Sequence, residues 1–118
     1  MLNNVILVGR LTDDPKIKIV DDGLKVCNFV LAVDRPFKNQ ETDTYDTDFL
    51  NVSVWRGFAD AMVQYCKKGS VIGVKGRLAS KINDINGVKV KMTEVIAERI
   101  SFINLKKVDG DQRESIEA

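Results

Sequence analysis

Apolar residues follow the spacing of an α-helix in only one stretch of the chain, and this scarcity constrains the fold more than any other feature. The predicted buried face lies at positions i, i+1, i+4, i+5 and i+8, occupied by Phe58, Ala59, Met62, Val63 and Cys66. The flanking residues match the preferences of helix ends: Asp60 near the start, Lys67 and Lys68 in the last turn and Gly69 just beyond it. We therefore expect one short helix in a chain built otherwise from strands.

The rest of the chain alternates between apolar and polar residues, as half-buried strands do. We predict strand segments at 4–8, 16–20, 25–35, 48–56, 71–78, 88–92 and 95–105. Gly9 indicates a bulge or sharp bend, residues 36–47 a polar loop, and Asp21-Asp22-Gly23 and Asn86-Gly87 hairpin turns. This order of strands, one short helix and then further strands predicts an all-β, five-stranded Greek-key barrel of the OB type, with its helix between strands 3 and 4.

Length and charge predict one domain with a tail. The 118 residues fit a single domain, which we place at 1–106, followed by a short polar, acidic and flexible tail at 107–118. The net charge of +1 divides into −3 on residues 109–118 and +4 on residues 1–108. No apolar run approaches the ~20 residues of a membrane span, and the first residues do not resemble a signal peptide, so we expect a cytosolic protein.

Catalysis is not expected from this composition. The chain has no histidine, which removes the commonest general base and metal ligand. Its paired aspartates fall in turns, where aspartate favours the backbone geometry, and Cys27 and Cys66 lack metal or redox spacing. We predict no enzymatic activity, no metal site and no cofactor.

The segment 48–56 places large aromatic side chains on the face that should be polar. Leu50, Val52 and Val54 alternate toward the predicted core, whereas Phe49 and Trp55 fall on the opposite face. Two aromatics there indicate either a second packing surface, such as a subunit interface, or a platform on which nucleobases stack. This strand alone leaves both interpretations open.

Basic residues near the predicted platform favour the nucleic-acid interpretation. Side chains of the late strands should point away from the core at Lys75, Arg77, Lys89 and Lys91, while Leu78, Val88, Val90 and Met92 should point inward. Arg56 ends the platform strand, and Arg35 and Lys38 flank Phe37. Cations interleaved with aromatics suit a single strand, because they offer charge to phosphates and π-faces to unpaired bases.

Several motifs resemble the bacterial single-stranded DNA-binding protein family. They are 4–15 (NVILVGRLTDDP), 34–37 (DRPF), 67–70 (KKGS), 76–78 (GRL) and 93–95 (TEV), and the similarity covers about residues 1–105. The resemblance implies sequence-independent binding and protection of single-stranded DNA in replication, recombination and repair. It also implies a homotetramer, with a dimer as the alternative, in which the first strand contributes to pairing.

The resemblance further implies roles for individual residues. The base-stacking positions fall on Phe37, Phe49 and Trp55. Our candidates for phosphate contacts are Arg10, Arg35, Lys38, Arg56, Lys75, Arg77, Lys89 and Lys91.

The chain departs from the family pattern in its late hairpin and its tail. Around Lys81-Ile82 the family usually has another aromatic residue, and Lys91 replaces a frequent tyrosine. The last residues, 114–118, are acidic but lack the Ile-Pro-Phe end that recruits replication and repair proteins in relatives. Two rival functions remain: an OB-type module whose aromatic face binds a protein, as in a primosome, and a small nucleotide hydrolase.

Overall fold

The computed structural model describes residues 1–106, which form six strands and one helix. The elements are β1 (Val5–Leu11), β2 (Ile17–Val20), β3 (Leu24–Asn39), β4 (Thr44–Trp55), α1 (Gly57–Tyr65), β5 (Val71–Ile85) and β6 (Val88–Asn104). The predicted acidic tail at 107–118 lies outside the described residues.

The strands form one sheet in the order β1-β5-β6-β4-β3-β2, and an additional pairing of β1 with β3 closes it into a barrel. β1 and β2 both pair antiparallel with β3, at Leu31–Ala32 and at Leu24–Cys27, so they act as one interrupted strand. Counted in this way the barrel has five strands and its helix lies between the third and the fourth. The predicted OB-type architecture is confirmed.

The barrel interior is filled by aliphatic side chains from every wall. Leu31, Val52 and Ile72 are fully buried and represent β3, β4 and β5. The helix covers one end of this core with Ala59 and Met62. Burial of a large aliphatic side chain contributes roughly 1.5–3 kcal/mol, so this cluster stabilises the walls that carry the outer faces.

The helix differs from the prediction at its C-terminal end and in two of the side chains that it was expected to bury. It spans Gly57–Tyr65, so Lys67 and Lys68 lie beyond its last turn rather than in it. Phe58 and Val63, predicted to be buried, are each 38% exposed, because the short helix contacts the barrel only through the stripe around Ala59 and Met62.

The strands are longer than predicted, and two hairpins project from the barrel as arms. The first, which we call the β3–β4 arm, consumes most of the predicted loop 36–47 and leaves only residues 40–43 as its turn. The second, the β5–β6 arm, continues to the turn at Asn86-Gly87. The extension of the β3–β4 arm is largely polar, whereas the β5–β6 arm carries exposed apolar side chains such as Ile82 and Val88. A two-stranded arm has no core to cover, so alternation between core-facing and exposed residues does not predict its length.

Gly9 forms no bulge in β1, one of the two features that the sequence predicted there. Its pairing with Ile72 continues the regular register of β1 with β5. A side chain at this position would collide with the backbone carbonyl of Ala32 on β3. Glycine is required here because β1 passes close to β3 where the barrel closes.

Candidate nucleic-acid interface

Strand register defines an outer face of the sheet that runs across β3, β4, β6 and β5. Along β4, Val52 and Val54 point into the core, so Asn51, Ser53 and Trp55 point outward. The parallel pairing of Ser53 with Ile96 carries this face onto β6. The outer face of β4 is therefore continuous with the outer face of the β5–β6 arm.

Trp55 lies in a shallow depression of this face between two arginines. The depression has a volume of about 390 Å³ and is lined by Leu24, Trp55, Arg56, Arg77 and Ile96. Trp55 is half-buried, while Arg56 and Arg77 are exposed and form no ion pair within residues 1–106. One aromatic ring between two uncommitted guanidinium groups can stack a base and contact the phosphates on either side of it.

Backbone geometry fixes Arg56 at the edge of this depression. Its φ of +60° is uncommon for a residue with a side chain. Its carbonyl accepts hydrogen bonds from the N–H groups of Ala59 and Asp60, and its own N–H donates to the Lys25 carbonyl at 3.0 Å. The start of α1 and the end of β4 therefore hold Arg56 in this conformation together.

Phe49 forms a second exposed aromatic position on the outer face. Its side chain is 66% exposed. Phe49 pairs with Ala32 of β3, and Ala32 pairs with Arg10 of β1, so Arg10 and Phe49 lie on the same face of the sheet. Arg10 is not free, because its guanidinium lies 3.5 Å from the Asp34 carboxylate, which also accepts a hydrogen bond from the Thr47 hydroxyl. A phosphate would have to compete with Asp34 for this arginine.

Arg35, another predicted phosphate contact, is held by carboxylates. Its guanidinium donates to the Asp48 carboxylate at 2.9 Å and lies 3.9 Å from that of Asp46. The hydrogen bond from Arg35 lowers the pKa of Asp48, so this carboxylate stays charged at neutral pH. The sequence did not indicate this pairing, because Asp46 and Asp48 meet Arg35 only when β3 and β4 extend into the arm.

The remaining predicted residues of this region occupy the β3–β4 arm. Phe37 is 65% exposed. The ammonium group of Lys38 lies 3.9 Å from the Asp43 carboxylate and 5.9 Å from the ring centroid of Tyr45. Tyr45, which is exposed and was not among the predicted stacking residues, adds an aromatic surface to this arm.

The predicted lysines of the late strands do not share one face. Lys89 and Lys91 lie on the same side of β6 as Val95, which is buried, and so on the opposite side of the β5–β6 arm from Ile96. Lys75 lies on the outer face two residues from Arg77, but it does not line the Trp55 depression. Their phosphate-binding roles stay predictions, but they are separated from the Trp55 depression.

The inward orientation predicted for Val88, Val90 and Met92 is wrong, because all three are exposed on the outer face. Leu78 pairs with the buried Val95 and so lies on the predicted inner side, although it is 46% exposed. β6 keeps its register with β5 from Val88 to Ala97, which places Val88, Val90 and Met92 on the outer face beside Ile96. The same register places Lys81 there, paired with Met92. Lys81 was not among the predicted phosphate contacts, although its parity with Arg77 along one strand was an available signal.

No group of three or more His, Cys, Asp or Glu side chains within residues 1–106 could hold a metal ion. Over the same part of the chain, no helix has the length and apolar character needed to cross a membrane.

Comparison with known proteins agrees with this geometry. Residues 2–103 match the model of the single-strand binding protein family. The chain belongs to this family. The resemblance noted in the sequence is therefore confirmed, and the match covers nearly all of the described barrel.

Three relatives of this family member are each named single-stranded DNA-binding protein. One from Halalkalibacterium halodurans is 48% identical over 104 residues, covering 87% of this chain and 61% of the relative. One from Oceanobacillus iheyensis is 42% identical over 116 residues, covering 98% and 71%. One from Bacillus cereus is 43% identical over 116 residues, covering 98% and 68%. The alignments thus span 61–71% of these relatives.

Proposed function

We propose that this protein binds single-stranded DNA without strong sequence preference and protects it during replication, recombination and repair. The observation that carries the proposal is the Trp55 depression, in which a half-buried tryptophan lies between the unpaired guanidinium groups of Arg56 and Arg77. Family membership and the names of the relatives support it. The protein acts by binding and not by catalysis, in the cytosol of a bacterium or of the host if a phage encodes it.

The stacking surfaces are Trp55, Phe49 and Phe37. In single-strand binding proteins as a class, each stacked base contributes about 1–3 kcal/mol and every base offers a π-face, so stacking tolerates any sequence. Arg56 and Arg77 contact phosphates around Trp55, whereas Arg10, Arg35 and Lys38 contribute less because carboxylates hold them. DNA then follows the outer face from β4 toward the β5–β6 arm.

We also propose that the protein forms a homo-oligomer, a tetramer or else a dimer, in which β1 takes part. Within the described residues, β1 pairs with β5 from Val5 to Arg10 but with β3 only at Arg10 and Leu11. This leaves hydrogen-bonding groups of its first half available at an edge, and an open edge is a template for pairing with another strand. Ile6 and Val8 beside it are 72% and 54% exposed, which a partner subunit would cover.

The test of DNA binding uses Trp55, the only tryptophan. Oligo-dT is titrated while tryptophan fluorescence is followed, at several salt concentrations. We expect strong quenching together with an affinity that falls as salt rises, because stacking and phosphate contacts act together. Salt-dependent binding without quenching would remove Trp55 from the stacking surface. No binding at low salt would refute the function and favour a protein-interaction module.

A further inference from the structure

A second depression on the outer face lies between the barrel and the β5–β6 arm. It has a volume of about 310 Å³, within the range of small-molecule sites of about 300–1,000 Å³. Its walls come from β3, β4, β5 and β6, and its lining residues are Asn28, Phe29, Val30, Asn51, Val52, Lys81, Asn83, Met92, Thr93 and Glu94. We call it the arm pocket.

The arm pocket combines apolar surface with hydrogen-bonding groups that have no partner. The side-chain amides of Asn28 and Asn51 make no hydrogen bond to any residue of the described barrel, and the carboxylate of Glu94 forms no ion pair there. Val30 and Met92 supply apolar surface, and the amide of Asn83 donates to the Met92 sulfur at 2.9 Å, which orients the thioether. A flat ligand with a polar edge suits this arrangement.

The position of the pocket connects it with the proposed DNA path. Asn51 and Trp55 lie on the same face of β4, and Glu94 and Ile96 on the same face of β6, so the arm pocket adjoins the Trp55 depression. Lys81 adds one ammonium group at the rim and has no ion pair among the residues described. A strand whose base stacks on Trp55 would bring a nearby base to the pocket and a phosphate to Lys81.

Resting on the proposed function, we infer that the arm pocket holds one nucleobase of the strand and favours cytosine or adenine, whose N4 or N6 amino group stands where thymine and guanine have a carbonyl. The Glu94 carboxylate can only accept hydrogen bonds, and the N4 amino group of cytosine can donate one to it. Thymine presents the O4 carbonyl at the corresponding position, where it would face the carboxylate oxygen without a proton between them. The Asn28 and Asn51 amides can donate to the cytosine O2 or N3 acceptors. The protein therefore has a modest base preference at one nucleotide within otherwise nonspecific binding.

The test compares eight-nucleotide dC and dT oligomers, which differ mainly at this edge of the base. Wild type, Glu94→Gln and Glu98→Gln are titrated at fixed salt, and the ratio of the dT to the dC dissociation constant is measured. Glu98→Gln is the matched control, because it removes the same charge from the same strand outside the pocket. We expect Glu94→Gln to lower this ratio by roughly fivefold, the lower end of what one base-edge contact supplies, and Glu98→Gln to leave it unchanged.

Each outcome decides the inference. If Glu94→Gln strengthens binding to both oligomers equally, the carboxylate acts only as a repelling charge and the base preference is refuted, while the proposed function stands. In the wild type, a dC oligomer with N4-dimethylated bases should lose the advantage that unmodified dC has over dT, and retention of that advantage would also refute the inference. Failure of all oligomers to bind wild type would refute the proposed function itself.

Discussion

Two arginines that look equivalent in the sequence should contribute very differently to DNA binding. Arg77 is exposed beside Trp55 without an ion pair in the described residues, whereas Arg35 is held by Asp48 at 2.9 Å and Asp46 at 3.9 Å. Both lie on strands and outside the core, so Arg77→Gln and Arg35→Gln form a matched pair. We predict that only the Arg77 variant loses a phosphate contact.

The expected size follows from counterion release. One phosphate contact on a single strand contributes about 0.7 to the slope of log affinity against log salt. Loss of the Arg77 contact should therefore weaken oligo-dT binding about eightfold near 50 mM salt and about threefold near 200 mM. Arg35→Gln should leave the slope unchanged. Asp48→Asn should raise it by less than about 0.7, because Asp46 still restrains the released guanidinium of Arg35.

Fluorescence titrations at four salt concentrations, with each variant's fold checked by circular dichroism, measure these slopes. Equal slope losses in the Arg35 and Arg77 variants would refute the reasoning, because they would mean that the Arg35–Asp48 pair opens when DNA binds. An unchanged slope in Arg77→Gln would equally refute it, since the Trp55 depression would then not contact the backbone.

Two further predictions concern the fold and the assembly. Gly9→Ala should destabilise the domain by about 3 kcal/mol or more, because the added carbon meets the Ala32 carbonyl. Gly57→Ala should cost little, because no atom lies within 4 Å of the added carbon. Urea midpoints of the two variants test this prediction, and equal midpoints would contradict it. Light scattering should give the wild type a mass of at least twice 13.2 kDa. Ile6→Lys should give a smaller mass, because a buried ammonium group opposes association through β1. A monomeric wild type would contradict the proposed assembly.

The fold could be predicted from local pattern because the barrel walls alternate and only one segment has helical spacing. Alternation specified the walls well at Val52 and Val54, where one face meets the core. It failed at Val88 and Val90, whose apolar side chains lie on an arm with no core beneath them. Periodicity indicates which residues of a strand share a face. Whether that face is the inner or the outer one follows only from the continuous pairing of β6 with β5 between the buried Val95 and Val88.

The candidate site was predictable as residue types and less so as a constellation. Trp55 and Arg56 are neighbours in the chain, so their proximity was evident. Arg77 joins them through the pairing of β5 with β6 and of β6 with β4, two contacts that no local pattern contains. Lys81 could have been predicted from its parity with Arg77 along β5, whereas the engagement of Arg35 by carboxylates appears only once the β3–β4 arm exists.

The placement of ion pairs also limits how strongly charge can drive binding. Of the eight predicted cations, three are engaged by carboxylates: Arg10, Arg35 and Lys38. Three others lie outside the Trp55 depression: Lys75, Lys89 and Lys91. Eight phosphate contacts would give a salt slope of about −5.6, whereas Arg56, Arg77 and Lys81 alone give about −2 per domain. A domain whose residues 1–108 carry only +4 fits the smaller value. Stacking on Trp55 and Phe49 must then supply much of the affinity, and binding should persist at salt concentrations that would release a protein relying on charge alone.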